Sequence, residues 1–385
     1  MSRQGLVFGA GAVGRGFVGE ILSDAGWRVV FVDASPELVA ALQQGEYPHD
    51  TVSSAGTVRK MVKGCTAIAA QDRDAVRAAV ASSDVVFTSV GARNLPHIAD
   101  SLAAGLADRH RAGSRAIDVF LAENLHDGAG VMRALLESEL DGFGVDPRAV
   151  LDRVGLVETS IGRMIPVPTA EQRREHPALV AVEPYRQLPF DRAACRAAVP
   201  DIPDLLGNAD VDFGFYTDRK LYVHNQGHSL TAYLGELKGH REIATAIADP
   251  DVRASAAAAM HAAARALAAK YSQPESELLA HADDLLQRFG NTALHDTVER
   301  VGRDPERKLQ MGERFLGALE LTSDWGEPEP ILPGIALATR QLVLSRPATA
   351  PDETIEAVRS EVARVAPGLV GRFDELLAGV LDDRA

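Results

Sequence analysis

The chain has 385 residues, 46% of them hydrophobic and 24% charged, with a formal net charge of −14. That length exceeds what one hydrophobic core usually fills, so two domains are expected, and the composition excludes a mostly disordered chain. The negative balance disfavours nucleic acid and anionic membranes as partners, because binding to either relies on Lys and Arg neutralising phosphates. A small anionic substrate would need a local basic pocket. Only two cysteines occur, Cys65 and Cys195, with no CxxC pair and no compact Cys/His cluster, so neither a disulfide framework nor a metal site is expected. The opening MSRQGLVFGAGAVGRGF runs into a glycine-rich turn instead of a signal-peptide cleavage site, and no stretch reaches the roughly 20 apolar residues that span a bilayer. A cytoplasmic location is the resulting expectation.

From Gly5 to Val157 short β-rich runs alternate with amphipathic stretches, the pattern of a parallel sheet flanked by helices. Strands are expected at 6–8, 29–32, 84–90, 117–121 and 154–157, with helical patterns between them at 38–42, 75–80 and 130–136. Directly after the first strand comes Gly9-Ala10-Gly11-Ala12-Val13-Gly14, a GxGxxG that opens a helix. The first glycine permits a tight turn, the second lets a pyrophosphate approach the backbone, and the third lets helix and strand pack closely. The second strand ends at Asp33, 24 residues after Gly9, where an acid is placed to bind adenosine ribose hydroxyls. This favours NAD over NADP, whose 2′-phosphate the carboxylate would repel; FAD uses a similar loop. The turn Ser89-Val90-Gly91 is expected to run beneath the nicotinamide half of the cofactor. The bland alternative is that the glycines only make a turn and Asp33 only caps a helix.

Residues 166–203 carry many prolines, and beyond about residue 205 Ala/Leu-rich segments such as 254–271 read as helices. The expected architecture is an α/β N-terminal Rossmann domain, residues 1–203, followed by a mostly α-helical C-terminal domain, residues 204–385. In the second, DRKLYVHNQGHSLTAYLG carries Lys220, Asn225 and His228 in the spacing KxxxxNxxH. On a regular helix at roughly 100° per residue these fall at about 0°, 140° and 80°, within one broad face. A lysine whose charged form is disfavoured by burial can act as a base for a hydroxyl proton, an asparagine can donate to a developing alkoxide, and a histidine can orient either group. Asn124, just past the strand at 117–121, is a second amide where ligands of doubly wound sheets gather. By base rate a helical lysine is a solvated surface group and a helical Asn or His satisfies a neighbour; His224 fits that bland reading better than His228.

FGAGAVGRGFVG, the AEN around Asn124, RKLYVHNQGHSLTAYLG and VERVGRDPERKL at 298–309 together resemble the mannitol-1-phosphate 5-dehydrogenase branch of the polyol-specific long-chain dehydrogenases, over essentially the whole chain. The resemblance implies Lys220 as general base, Asn225 and Asn124 as an oxyanion hole, His228 beside them, no zinc, and reversible conversion of mannitol 1-phosphate and NAD to fructose 6-phosphate and NADH. The chain departs from the family's pattern at Gly162, where Asp is common, and after Glu183, where a tryptophan is often found. For the phosphate, Arg300, Arg303, Arg307 and Lys308 form a basic cluster, although a solvated helix face would look the same. Another polyol or sugar acid on the same scaffold is an alternative substrate, and a non-catalytic NAD-binding regulator is an alternative of a different class. A β-hydroxyacid dehydrogenase fits less well, because its lysine and asparagine stand four apart. Monomer and homodimer are equally acceptable.

Overall fold

The computed structural model describes residues 3–125, 127–166, 168–345 and 351–382. The chain forms two compact units, Met1–Phe213 and Gly214–Ala385, whereas the proline-rich stretch points to a junction at 203.

The first unit is built on strands β1 (Gln4–Phe8), β2 (Arg28–Asp33), β3 (Glu46–Ser53), β4 (Gly56–Lys63), β5 (Cys65–Ala69), β6 (Val85–Thr88), β7 (Ile117–Leu121), β8 (Val154–Glu158) and β9 (Val180–Val182). Six of them form one sheet in the order β5-β2-β1-β6-β7-β8, with every pair parallel. Alternate residues of each strand feed opposite cores. Val7, Val29, Phe31, Phe87 and Phe120 pack on one face, and Leu6, Phe8, Val30, Val86 and Val119 on the other. The strands are mostly apolar on both faces because both are covered, as parallel sheets require. Strand order reverses between β1 and β6, and the crevice at the carboxyl ends of such a pair is where this architecture receives ligands.

The hairpin of β3 and β4 is absent from the sequence reading. It forms a separate sheet, β4-β3-β9, antiparallel on one side and parallel on the other. The hairpin encloses a buried polar knot. Glu20, 2% exposed, is ion-paired with Arg163 and lies 2.7 Å from Lys60 and 3.4 Å from His49. Arg163 also donates to the carbonyls of Gly16 at 2.7 Å and Glu183 at 2.9 Å. The Arg163 and His49 charges hold the Glu20 carboxyl at about 2 against the opposing effect of burial. These contacts tie residues 163 and 183 to the helix that follows the glycine loop.

The second unit is helical, as expected. A continuous helical stretch runs from Phe213 to Leu237, and the long Ala-rich segment forms the helix Pro250–Tyr271. Asp249 caps the latter, accepting from the N–H groups of Asp251 and Val252, and Pro250 occupies its first turn. Leu230, Tyr233, Phe315, Leu319, Ile335 and Phe373 are among the residues that form its core. Among the described residues no helix is long and apolar enough to cross a membrane.

Candidate active site

At the end of β1 the chain turns at Gly9, whose φ of 91° favours glycine. A Cβ on Gly9 would lie 2.5 Å from the Ser89 carbonyl, and one on Gly14 would collide with the Gly9 carbonyl and with Ser89 Oγ. Ser89 in turn donates to the Gly9 carbonyl at 2.9 Å, so the turns after β1 and β6 interlock. Gly11 is different. A Cβ there would meet nothing within 4 Å, leaving the loop backbone open to an approaching group. Ala10, Ala12 and Val13 complete the turn, and the helix beginning at Gly14 directs its first N–H groups toward it. Asp33 closes the site from β2, with Oδ2 accepting from Ala10 N–H at 2.7 Å and Oδ1 from Ser35 N–H at 2.8 Å. An ionised carboxylate has about four acceptor positions, so both oxygens can still take a ribose hydroxyl.

The turn after β6 is held by a residue that the sequence reading passed over. Glu123, buried at 8% exposure, accepts from Val90 N–H at 2.9 Å and Gly91 N–H at 2.8 Å. Burial raises its carboxyl above the ordinary range despite those bonds. Gly91 has φ 85°, so carboxylate and glycine together fix this turn. Asn124 follows at the carboxyl end of β7 and is exposed.

In the second unit Lys220 and Asn225 lie in a wide-turn segment, Arg219–Asn225, inserted between the α-helices Phe213–Asp218 and Gln226–Leu237. The uniform 100° spacing therefore does not apply across it. A π-type turn bonds i to i+5, which stacks residues five apart on one side. Lys220 and Asn225 are thus brought into line, with His228 following in the α-helical part. Burial, and after it the Arg314 charge, brings the Lys220 ammonium down to about 8. His228 Nε2 lies 3.0 Å from Asp296 Oδ2, and its ring stacks on Phe289 at 4.7 Å. His224 is buried beneath it, with its pKa driven well below the ordinary value by burial, which leaves it neutral.

The basic cluster divides. Arg300 pairs with Asp296 at 2.6 Å and so sits one carboxylate away from His228. Arg303 is 69% exposed and pairs with Glu299. Arg307 pairs with Asp304 and Glu313. Lys308 is only 2% exposed, with its ammonium 5.2 Å over the Tyr233 ring and donating to the Val301 carbonyl. Burial and the neighbouring Arg314 and Arg307 charges lower it to about 7.

Residues 4–204 match the mannitol dehydrogenase Rossmann domain and residues 212–342 match the mannitol dehydrogenase C-terminal domain. The chain belongs to the mannitol dehydrogenase family. Among solved structures, it is similar to a D-sorbitol dehydrogenase in substrate-free form, at 17% identity and a TM-score of 0.75, covering 89% of this chain and 81% of that one. It is also similar to the Pseudomonas fluorescens mannitol 2-dehydrogenase, whose structure is a ternary complex with NAD and D-mannitol. That match has 18% identity and a TM-score of 0.71, and covers 99% of this chain and 92% of that one.

Two places where this mannitol dehydrogenase family member departs from the expected pattern turn out to be neighbours. A Cβ on Gly162 would stand 3.3 Å from the ring of Tyr185, in the segment after Glu183. Any side chain at 162 would therefore meet the Tyr185 ring.

Proposed function

We propose that this mannitol dehydrogenase family member is an NAD-dependent oxidoreductase interconverting mannitol 1-phosphate and fructose 6-phosphate. The observation that carries the reading is the lysine lowered to about 8, aligned with Asn225 by a wide turn and followed by His228 beside Asp296. The open backbone at Gly11, the turn at Gly9 and the acid at Asp33 fit a dinucleotide, with Ser89, Val90 and Gly91 under its nicotinamide half. NAD, held by the Gly9–Gly14 loop and Asp33, would supply the hydride acceptor for the carbinol carbon. Neutral Lys220 takes the hydroxyl proton, while Asn225 on the same segment donates to the developing alkoxide. His228, beside Asp296 and stacked on Phe289, orients the reacting hydroxyl.

A second reading, oxidation of an unphosphorylated polyol, is favoured by the likeness in fold to the sorbitol and mannitol 2-dehydrogenases. NADH formation from mannitol 1-phosphate, sorbitol 6-phosphate and free mannitol, each with NAD and NADP, separates the two. Turnover confined to mannitol 1-phosphate with NAD is expected; equal or better turnover of free mannitol would overturn the phosphate assignment.

A further inference from the structure

On the helix that carries His228, Ser229 and Tyr233 lie one turn apart and face a second group of cations. Arg314, 13% exposed, donates through Nη1 to Ser229 Oγ at 3.1 Å. Its Nε is buried without a hydrogen-bond partner among the described residues and stands 3.5 Å from Glu313. The Tyr233 hydroxyl, on a residue only 1% exposed, is likewise buried without a partner among the described residues. Lys308 lies over the same tyrosine ring. Asp304 and Glu313 are both engaged by Arg307, and Glu313 also pairs with Arg314, so the three cations Arg307, Lys308 and Arg314 share two carboxylates. Buried cations are costly unless an anion or ordered dipoles compensate them. In a chain of net charge −14, a buried cluster with one cation in excess of its carboxylates and two idle donors is matched to an anion.

We propose that Arg314, together with Lys308 and the Ser229 and Tyr233 hydroxyls, forms the seat for the phosphomonoester dianion of the substrate. The guanidinium supplies a planar fork, the ammonium a point charge, and the hydroxyls further donors, a set suited to a tetrahedral group with three outer oxygens. This rests on the phosphorylated-substrate reading and adds to it the residues that select the phosphate. Arg314 also acts on Lys220, so the seat and the proton acceptor are electrostatically coupled.

The test compares wild type, Arg314→Met, Arg314→Lys and the surface control Arg372→Met. For each, kcat/KM is measured with mannitol 1-phosphate and with mannitol, alongside inhibition by inorganic phosphate. In wild type, phosphate should compete with the polyol phosphate and not with NAD. Arg314→Met should reduce the preference for mannitol 1-phosphate over mannitol roughly 30- to 100-fold and weaken phosphate inhibition in parallel, as loss of charge-assisted bonds does. Arg314→Lys, which keeps the charge and most of the volume, should fall between and carries the test if the methionine variant does not fold. Arg372→Met should behave as wild type. An unchanged preference and unchanged phosphate inhibition in the Arg314 variants would overturn the seat while leaving the phosphate substrate standing. So would an equal loss on both substrates. A wild-type enzyme that neither prefers the phosphate ester nor is inhibited by phosphate would overturn the substrate reading and the seat with it.

Discussion

A lysine held at about 8 is neutral in roughly a tenth of molecules at pH 7, where an ordinary lysine is neutral in fewer than about one in a thousand. For polyol oxidation the neutral amine is the reactive form. The value of kcat/KM should therefore rise with pH through about 8 and level off above it, while the reverse reduction, which needs the ammonium as acid, should decline over the same range. Initial rates in both directions across pH 6–10 check this, and a flat profile would remove Lys220 from the proton transfer. Lys220→Ala should lower kcat by about 10²–10⁴-fold with NADH binding, followed by fluorescence, kept within a few fold. Asp33→Asn keeps a hydrogen-bonding group but removes the charge proposed to receive the adenosine ribose. It should weaken NAD binding by about tenfold and narrow the gap between NAD and NADP, read from the two KM values.

At the scale of elements, the wide turn at Arg219–Asn225 brings together residues that a regular helix would splay by about 140°. Deleting Leu221 should convert the segment to an α-helix with the lysine and asparagine four apart, leaving far-ultraviolet circular dichroism near wild type while turnover falls below detection. Glu123→Leu should free the Val90–Gly91 turn, raising KM for NAD and lowering the thermal midpoint. The KxxxxNxxH spacing was legible, but its geometry was not, because a sequence carries no mark of where a helix widens. β1, β2, β6, β7 and β8 were legible because strands covered on both faces are continuous apolar runs. The hairpin was not, since β4 is mostly exposed and reads Gly-Thr-Val-Arg-Lys-Met-Val-Lys, and β3 buries His49 and Asp50. Glu123 was hidden for a related reason. An acid next to Asn124 acquires meaning only when two backbone N–H groups are seen pointing at it. Lys308 and Arg300 stood in one charge run with Arg303, and burial and pairing distinguish them where composition does not.

For the molecule as a whole, the Glu20 knot links pH to stability of the first unit. The folded pKa of about 2 lies below the ordinary 4.5, so its stabilisation is complete above about 4.5 and is lost as pH falls toward 2. Glu20→Gln leaves Arg163 buried without its partner and should cost about 3–5 kcal/mol. Urea unfolding of the variant at pH 7 checks this, and a midpoint equal to wild type would show that the ion pair is dispensable. The same knot has a kinetic side. Arg163 reaches Gly16 and Glu20 across 147 and 143 residues of sequence, and contacts of such separation form late because a long loop must close first. During synthesis the glycine loop therefore emerges long before its fastener. Refolding should recover helical signal early and dinucleotide binding only in the last phase, which makes the nascent first helix a segment that depends on the chain still to come.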